Sequence, residues 1–222
     1  ISELLSKSGS EIKLISDTTL FEPNEIVKDD GNPYSVFTPF SKKCYSLINE
    51  GHYSISETKL DNLNPDNCLS IKSDKLKQYI PSPVFKGGRK EGLEFLKHFY
   101  NTALSKYKSQ RDFPAINGTS LISPHLHFGT VGIRECGRAA LKKVKEKGES
   151  PEVKTWMNEL LWREFYYTIT HHFPYVINGA FKPAYDKIKW NYDNSLFRKW
   201  CEGKTGYPFV DAGMRQLNIE GW

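Results

Sequence analysis

The chain has 222 residues, 38% of them hydrophobic and 26% charged, with 31 Lys+Arg against 26 Asp+Glu and four cysteines. That length supports one or two domains with a sizeable core. No apolar run approaches the ~20 residues that cross a bilayer, and the absence of a signal-peptide pattern and of CxxC spacing among Cys44, Cys68, Cys136 and Cys201 argues against a secreted disulfide frame or a cysteine-based zinc site.

In chain order, Ile1 to about Lys7 reads as the last turn of an element that begins upstream, because the first residue is not Met. Residues 15–40 are rich in turn chemistry (Asp17-Thr18-Thr19, Asp29-Asp30-Gly31-Asn32-Pro33, Thr38-Pro39), which suits a linker draped over a surface better than a loop within a compact unit. A short helix is predicted from Phe40 to Glu50, stopped at Gly51, and a helical turn near Asp74–Tyr79 inside an otherwise polar, Pro-punctuated stretch. Leu93, Leu96, Phe99, Tyr100, Leu104 and Tyr107 give helical spacing from Arg89 to Lys108. Further helices are predicted from Pro124 to about Gly129, from Ile133 to Lys147, across Thr155–Tyr167, from Asn194 to Cys201 and from Pro208 to Leu217, with a loop-rich stretch between His171 and Lys187. No convincing strand alternation follows residue 90, so the fold class is mainly α. Charge is uneven along this order: residues 1–80 hold 9 Lys+Arg and 12 Asp+Glu, residues 81–222 hold 22 and 14, and all five Trp fall in the basic part. A nucleic-acid footprint is one explanation, a solvated lysine-rich surface the other.

The stretch Thr155-Trp156-Met157-Asn158-Glu159-Leu160-Leu161-Trp162-Arg163-Glu164-Phe165-Tyr166-Tyr167 is the most informative. Wound at 100° per residue, it puts Met157, Leu161 and Phe165 on a core stripe and Glu159, Trp162, Arg163 and Tyr166 on another face. A carboxylate, a guanidinium and two large aromatics on a largely buried helix resemble the wall of a polar ligand site; an i, i+4 ion pair on a solvated face is the plainer alternative. Thr119-Ser120-Leu121-Ile122-Ser123-Pro124 is the second such segment, with Ser123 expected at the N-cap and Pro124 at N1 of a helix whose first N–H groups could hold an anion. Gly203-Lys204-Thr205 is not a P-loop, since the first glycine of that motif would fall at Arg198. In the last helix Val210, Met214 and Leu217 are expected to pack and Asp211 to pair with Arg215. His125/His127 and His171/His172 have no third ligand at natural spacing, so no metal site is expected.

These residues carry a resemblance. Tyr107-Lys108-Ser109-Gln110-Arg111-Asp112-Phe113-Pro114 leading into Thr119–Pro124, then Leu126-His127-Phe128-Gly129, Trp156–Tyr166, and Trp200 through Gly203-Lys204-Thr205-Gly206-Tyr207-Pro208 to Gly221-Trp222 resemble the photolyase/cryptochrome flavoproteins, and most of all bacterial class I cyclobutane pyrimidine dimer photolyases. Val36-Phe37-Thr38-Pro39-Phe40 is similar to that family's interdomain linker. The resemblance implies a fragment: residues 1–14 as the tail of an N-terminal α/β antenna domain, 15–87 as linker, and 88–222 as a helical FAD-binding and DNA-binding domain that stops before the family's flavin N5 contact. It implies FAD held by Tyr107, Thr119, Ser120, Leu121, Ile122, Ser123, Trp156, Glu159 and Arg163, with the diphosphate at the helix start. It implies UV-damaged DNA as partner, met by Arg111, Glu159, Trp162, Arg163 and Tyr166, with Glu159 hydrogen-bonding the pyrimidine dimer and Trp162 stacking on it. Trp190 aligns with the outer end of the family's tryptophan electron relay. A second antenna chromophore, of folate or deazaflavin type, belongs to the missing domain. A monomer in a bacterial-type cytoplasm, with no membrane association, completes the expectation.

By the same resemblance, light-driven electron transfer from reduced FAD splits the dimer, so the chain would be part of a carbon–carbon lyase. Glu159 could donate a hydrogen bond only when protonated, which burial favours and a neighbouring Arg163 opposes. Rival readings are a cryptochrome-type photoreceptor, a (6-4) photolyase, and a nucleic-acid-binding helical module without cofactor. Trp162 and Glu159 together favour repair over signalling. The hydroxyl run at Thr119–Ser123 is superfluous to a module without cofactor.

Overall fold

The computed structural model describes residues 17–54 and 86–221; the turns expected at 1–7 and 74–79 lie outside the described residues. In chain order the helices are α1 (Phe37–Leu47), α2 (Arg89–Thr102), α3 (Tyr107–Gln110), α4 (Ser123–His127), α5 (Ile133–Lys147), α6 (Pro151–His172), α7 (Asn194–Cys201) and α8 (Pro208–Glu220), with short 3-10 turns at Glu50–Tyr53, Leu104–Lys106, Pro174–Ile177 and Pro183–Lys187. Among the described residues β pairing amounts to an isolated bridge between Val27 and Pro33, so the chain is mainly α as its periodicity predicts.

α6 is the axis of the molecule. Ser150 accepts a hydrogen bond from the Val153 N–H at 3.3 Å and Pro151 opens the first turn, the arrangement that satisfies a helix start. It ends at His172 because Phe173, preceding Pro174, leaves the helical region at φ −126°, ψ 60°. Val153, Trp156, Met157, Leu160, Leu161, Glu164, Phe165 and Thr168 are its buried residues, a stripe at i, i+3, i+4, i+7 that includes the predicted Met157, Leu161 and Phe165. α1, α3 and α5 pack around it.

Residues 17–54 supply Leu20, Phe21, Ile26, Phe40, Cys44 and Tyr53 to the core. Polar contacts fix this strap as firmly as its apolar anchors. Arg134 of α5 donates to the carbonyls of Leu20 and His52, and Arg138 to that of Tyr53. Glu164 of α6 accepts from the Leu20 N–H at 2.9 Å and the Phe21 N–H at 3.4 Å. A Cβ on Gly137 would lie 2.1 Å from the Tyr53 ring, so α5 needs glycine where the strap crosses it.

Several expectations need correction. The predicted Arg89–Lys108 helix breaks at Ala103 (φ −111°, ψ −26°) and restarts as α3 after a 3-10 turn, which swings Tyr107 toward α6. The first helix begins at Phe37 rather than Phe40 and ends at Leu47, short of the predicted Glu50, where a separate 3-10 turn starts and runs to Tyr53. Among the described residues Asp211 and Arg215 are not hydrogen-bonded to each other and act on one another only through charge: Asp211 accepts from Thr205 N and Oγ1 and from Gly206 N, while Arg215 donates to the Gly203 carbonyl. Both close the turn that Gly203, at φ 63°, begins. Of the residues expected to pack in α8, Met214 is half-buried while Val210 and Leu217 are 41% and 43% exposed among the described residues; α8 contacts α7.

Candidate functional site

Between α3, α4 and α6 lies a cavity of about 760 Å³, lined among others by Tyr107, Ser120, Ile122, Ser123, Trp156, Glu159, Leu160 and Arg163. Its size suits a cofactor-sized ligand. The break after α2 brings Tyr107 to one wall, where burial first and then nearby Glu159 push its phenol above the ordinary value. Trp156 forms a second wall, 1% exposed and tilted against Phe99 at 5.1 Å. α6 contributes Glu159 one turn on and Arg163 one turn further.

The segment before α4 forms the third wall. Leu121 adopts φ 51°, left-handed for a residue with a side chain. Ile122, at φ −91° and ψ −10°, then occupies the N-cap, so Ser123 and Pro124 are the first two helical residues rather than cap and first. The cause is the left-handed step, which starts the helix one residue early. α4 is one five-residue turn, so its dipole adds little; hydroxyls and N–H groups are what this wall offers. Ser120 and Ser123 make no side-chain hydrogen bond among the described residues, and both face the cavity.

At the rim Arg111 donates to Glu159 Oε1 and reaches Asp112 at 3.4 Å, its guanidinium 5.7 Å from the Tyr107 ring centroid. The guanidinium that the Glu159 carboxylate accepts from is therefore that of Arg111, at α3's end, and not that of Arg163. Arg163 donates to the Thr18 carbonyl at 2.5 Å and lies 4.6 Å over the Tyr167 ring.

Not every candidate residue meets at the cavity. Trp162 and Tyr166 stand on the adjoining face of α6, where Trp162 stacks on Phe37 at 3.6 Å with 7° between planes and on Tyr166 at 5.8 Å and 24°. Thr119 and Leu121 belong to the wall segment without lining the cavity, and Trp190 does not line it either and is 66% exposed. Sequence reasoning missed Leu126, His127, Phe128, Tyr167 and Gly221 as lining residues, and it missed Phe37 as the partner of Trp162. Each of these lay in a segment noted for another reason: Leu126-His127-Phe128-Gly129 and Gly221-Trp222 as motifs, Tyr167 at the end of the informative helix, and Phe37 in the linker motif Val36–Phe40. His125 is buried, with Nδ1 2.8 Å from Thr130 Oγ1, and His172 Nε2 lies 3.0 Å from the Pro23 carbonyl; both serve the fold. Among the described residues no group of three or more His, Cys, Asp or Glu side chains is placed to hold a metal ion, and no helix is long and apolar enough to cross a membrane.

Comparison with known proteins adds a second line of observation. Residues 156–222 match the family model for the FAD binding domain of DNA photolyase, and residues 1–58 the model for DNA photolyase. A deoxyribodipyrimidine photo-lyase from a Synechococcus strain is 34% identical over all of this chain and 48% of its own length. The enzyme of that name from Escherichia coli K12 is 31% identical over 93% of this chain and 44% of its own. The chain thus spans about half the length of the curated relatives it matches. Among solved structures, a bacterial class III photolyase from Agrobacterium tumefaciens superposes with a TM-score of 0.80 at 32% identity, over 100% of this chain and 47% of that one. A Synechocystis cryptochrome shares the fold with a TM-score of 0.74 at 24% identity, over 99% of this chain and 48% of that one.

Proposed function

The chain belongs to the DNA photolyase/cryptochrome family, and from that premise we propose that it is the flavin-holding and lesion-holding part of a light-driven lyase that repairs cyclobutane pyrimidine dimers in DNA. The supporting observation is the single cavity shared by Tyr107, Ser120, Ser123, Trp156, Glu159 and Arg163. The donor set there suits FAD: flat aromatic walls for a ring system, and, for a diphosphate, the Ser120 and Ser123 hydroxyls, which have no side-chain hydrogen bond among the described residues. When bound and reduced, FAD supplies an electron to the lesion under light and receives it back after the cyclobutane ring has opened.

In this reading the protein's own groups position and exclude. Trp156, Tyr107 and Leu160 keep water from the ring system. Ser120 and Ser123 hold the diphosphate, with Thr119, Leu121 and Ile122 supplying backbone shape. Glu159, with Oε1 on Arg111, offers Oε2 as an acceptor to a pyrimidine N–H, and this role needs no proton on the carboxyl. Arg111 and Arg163 balance the negative charge of cofactor and backbone. Trp162 is a stacking plate for an everted pyrimidine, with Tyr166 beside it, and Trp190 the outer end of an electron relay.

The division into an antenna-domain tail, a linker and a helical domain belongs to the same proposal, as do a monomeric state, a cytoplasmic location and a folate or deazaflavin antenna. The class I assignment is part of the proposal, and a class III photolyase structure stands at 32% identity beside curated relatives at 31–34%. Repair is favoured over photoreception because Trp162 and Glu159 are both present. The test is repair of dimer-containing DNA by the full-length protein with reduced FAD. Restoration is expected under near-UV or blue light only; equal restoration in the dark, or none in light with reduced flavin bound, overturns the proposal.

A further inference from the structure

Trp162 has one face already covered. The Phe37 ring lies parallel to the indole, centroids 3.6 Å apart and planes 7° from coincidence, the spacing at which an aromatic guest would itself stack. Phe37 comes from the strap, 125 positions away, and is the first residue of α1. It is not loosely placed. Phe40, three residues on and fully buried, fixes α1 to the core, and Phe165 contacts both rings, at 5.9 Å and 77° with Phe37 and 5.2 Å and 60° with Phe40. Phe165 also meets Trp162 edge-on at 5.8 Å. Lifting Phe37 off the indole would therefore disturb a four-ring cluster joined to the core. A guest cannot use that face; what remains for it is the indole surface that neither Phe37 nor Tyr166, 5.8 Å away and inclined by 24°, covers.

We propose that Phe37 is a positioning residue for lesion recognition: a rigid backing that sets the height and tilt of the Trp162 plate on which a damaged pyrimidine stacks. This rests on the reading of Trp162 given above. The physical reason is that an indole held on one side loses little rotamer freedom when a guest arrives on the other, so the stacking contact is retained in full. Leucine in place of Phe37 fills the space without a flat surface, whereas tyrosine keeps the ring.

The test compares affinities of the full-length, FAD-loaded protein for dimer-containing and undamaged duplexes, with flavin absorbance and thermal midpoint as folding controls. Phe37→Ala and Phe37→Leu are expected to lower the preference for damaged DNA about three- to tenfold, in keeping with the usual strength of an aromatic pair, and Phe37→Tyr to restore it. In a Trp162→Ala background the Phe37 substitutions should have no further effect. An unchanged preference in Phe37→Leu, a tighter one (Phe37 as a plug on the guest's seat), or an equal loss with and without Trp162 overturns the inference. No effect of Trp162→Ala alone removes instead the stacking role on which it stands.

Discussion

Two residues apart on α6, Trp162 and Glu164 show how differently neighbouring side chains of one helix are used. In the function proposed above Trp162 offers its surface to a guest, and Trp162→Ala is then expected to weaken the preference for damaged over undamaged DNA by ~1–3 kcal/mol while flavin absorbance stays intact, as read by competition binding. Glu164 is 2% exposed. Burial raises its carboxyl from the ordinary 4.5 to about 7, against the lowering effect of the Leu20 and Phe21 N–H groups. A raised folded-state value means that this group's contribution to stability is complete below about pH 4.5 and is lost as pH climbs through about 7, a span worth roughly 3 kcal/mol. The unfolding midpoint of the natural protein should therefore fall relative to Glu164→Gln between those values; a constant difference would contradict it. Glu159 and Arg163 were legible as site residues because they repeat on one helical face. Glu164 was not, since a carboxylate between Arg163 and Phe165 reads as solvated until the strap's N–H groups are seen above it.

At the scale of elements, regular helices were legible and their junctions were not. α5 and α7 run as their periodicity predicts, and α6 extends beyond its informative centre at both ends because Ser150-Pro151 starts it and Pro174 stops it. Ser150→Ala is expected to cost about 1 kcal/mol in stability through the lost cap, measurable by denaturant titration. The break at Ala103, the early start of α4 and the use of Asp211 on a turn instead of Arg215 depend on contacts between segments. Leu121 shows the limit plainly: nothing in Ser120-Leu121-Ile122 announces a left-handed leucine, yet that step shapes the cavity wall. Gly137→Ala should displace the strap from α5, since the new methyl would meet the Tyr53 ring; a cost of ~1–3 kcal/mol is expected, measurable by denaturant titration.

For the whole molecule, the charge excess belongs to the part that carries the cavity, 22 Lys+Arg against 14 Asp+Glu over residues 81–222. If two or more phosphates are neutralised, affinity for undamaged duplex should drop about tenfold or more between ~50 and ~200 mM salt, and salt-independent binding would speak against a DNA-facing role for this surface. The strap has a kinetic consequence as well. The bond from Leu20 to Glu164 joins positions 144 apart, and closing a loop of that size costs ~4 kcal/mol in chain entropy before any contact is made. The α5–α6 pairing, separated by a three-residue turn, closes at far smaller cost and is expected to form early, with residues 17–54 docking late. Weakening the Glu164 contacts should then leave the refolding rate nearly unchanged and quicken unfolding, so the native state's lifetime is governed by how long this last-arriving segment stays in place.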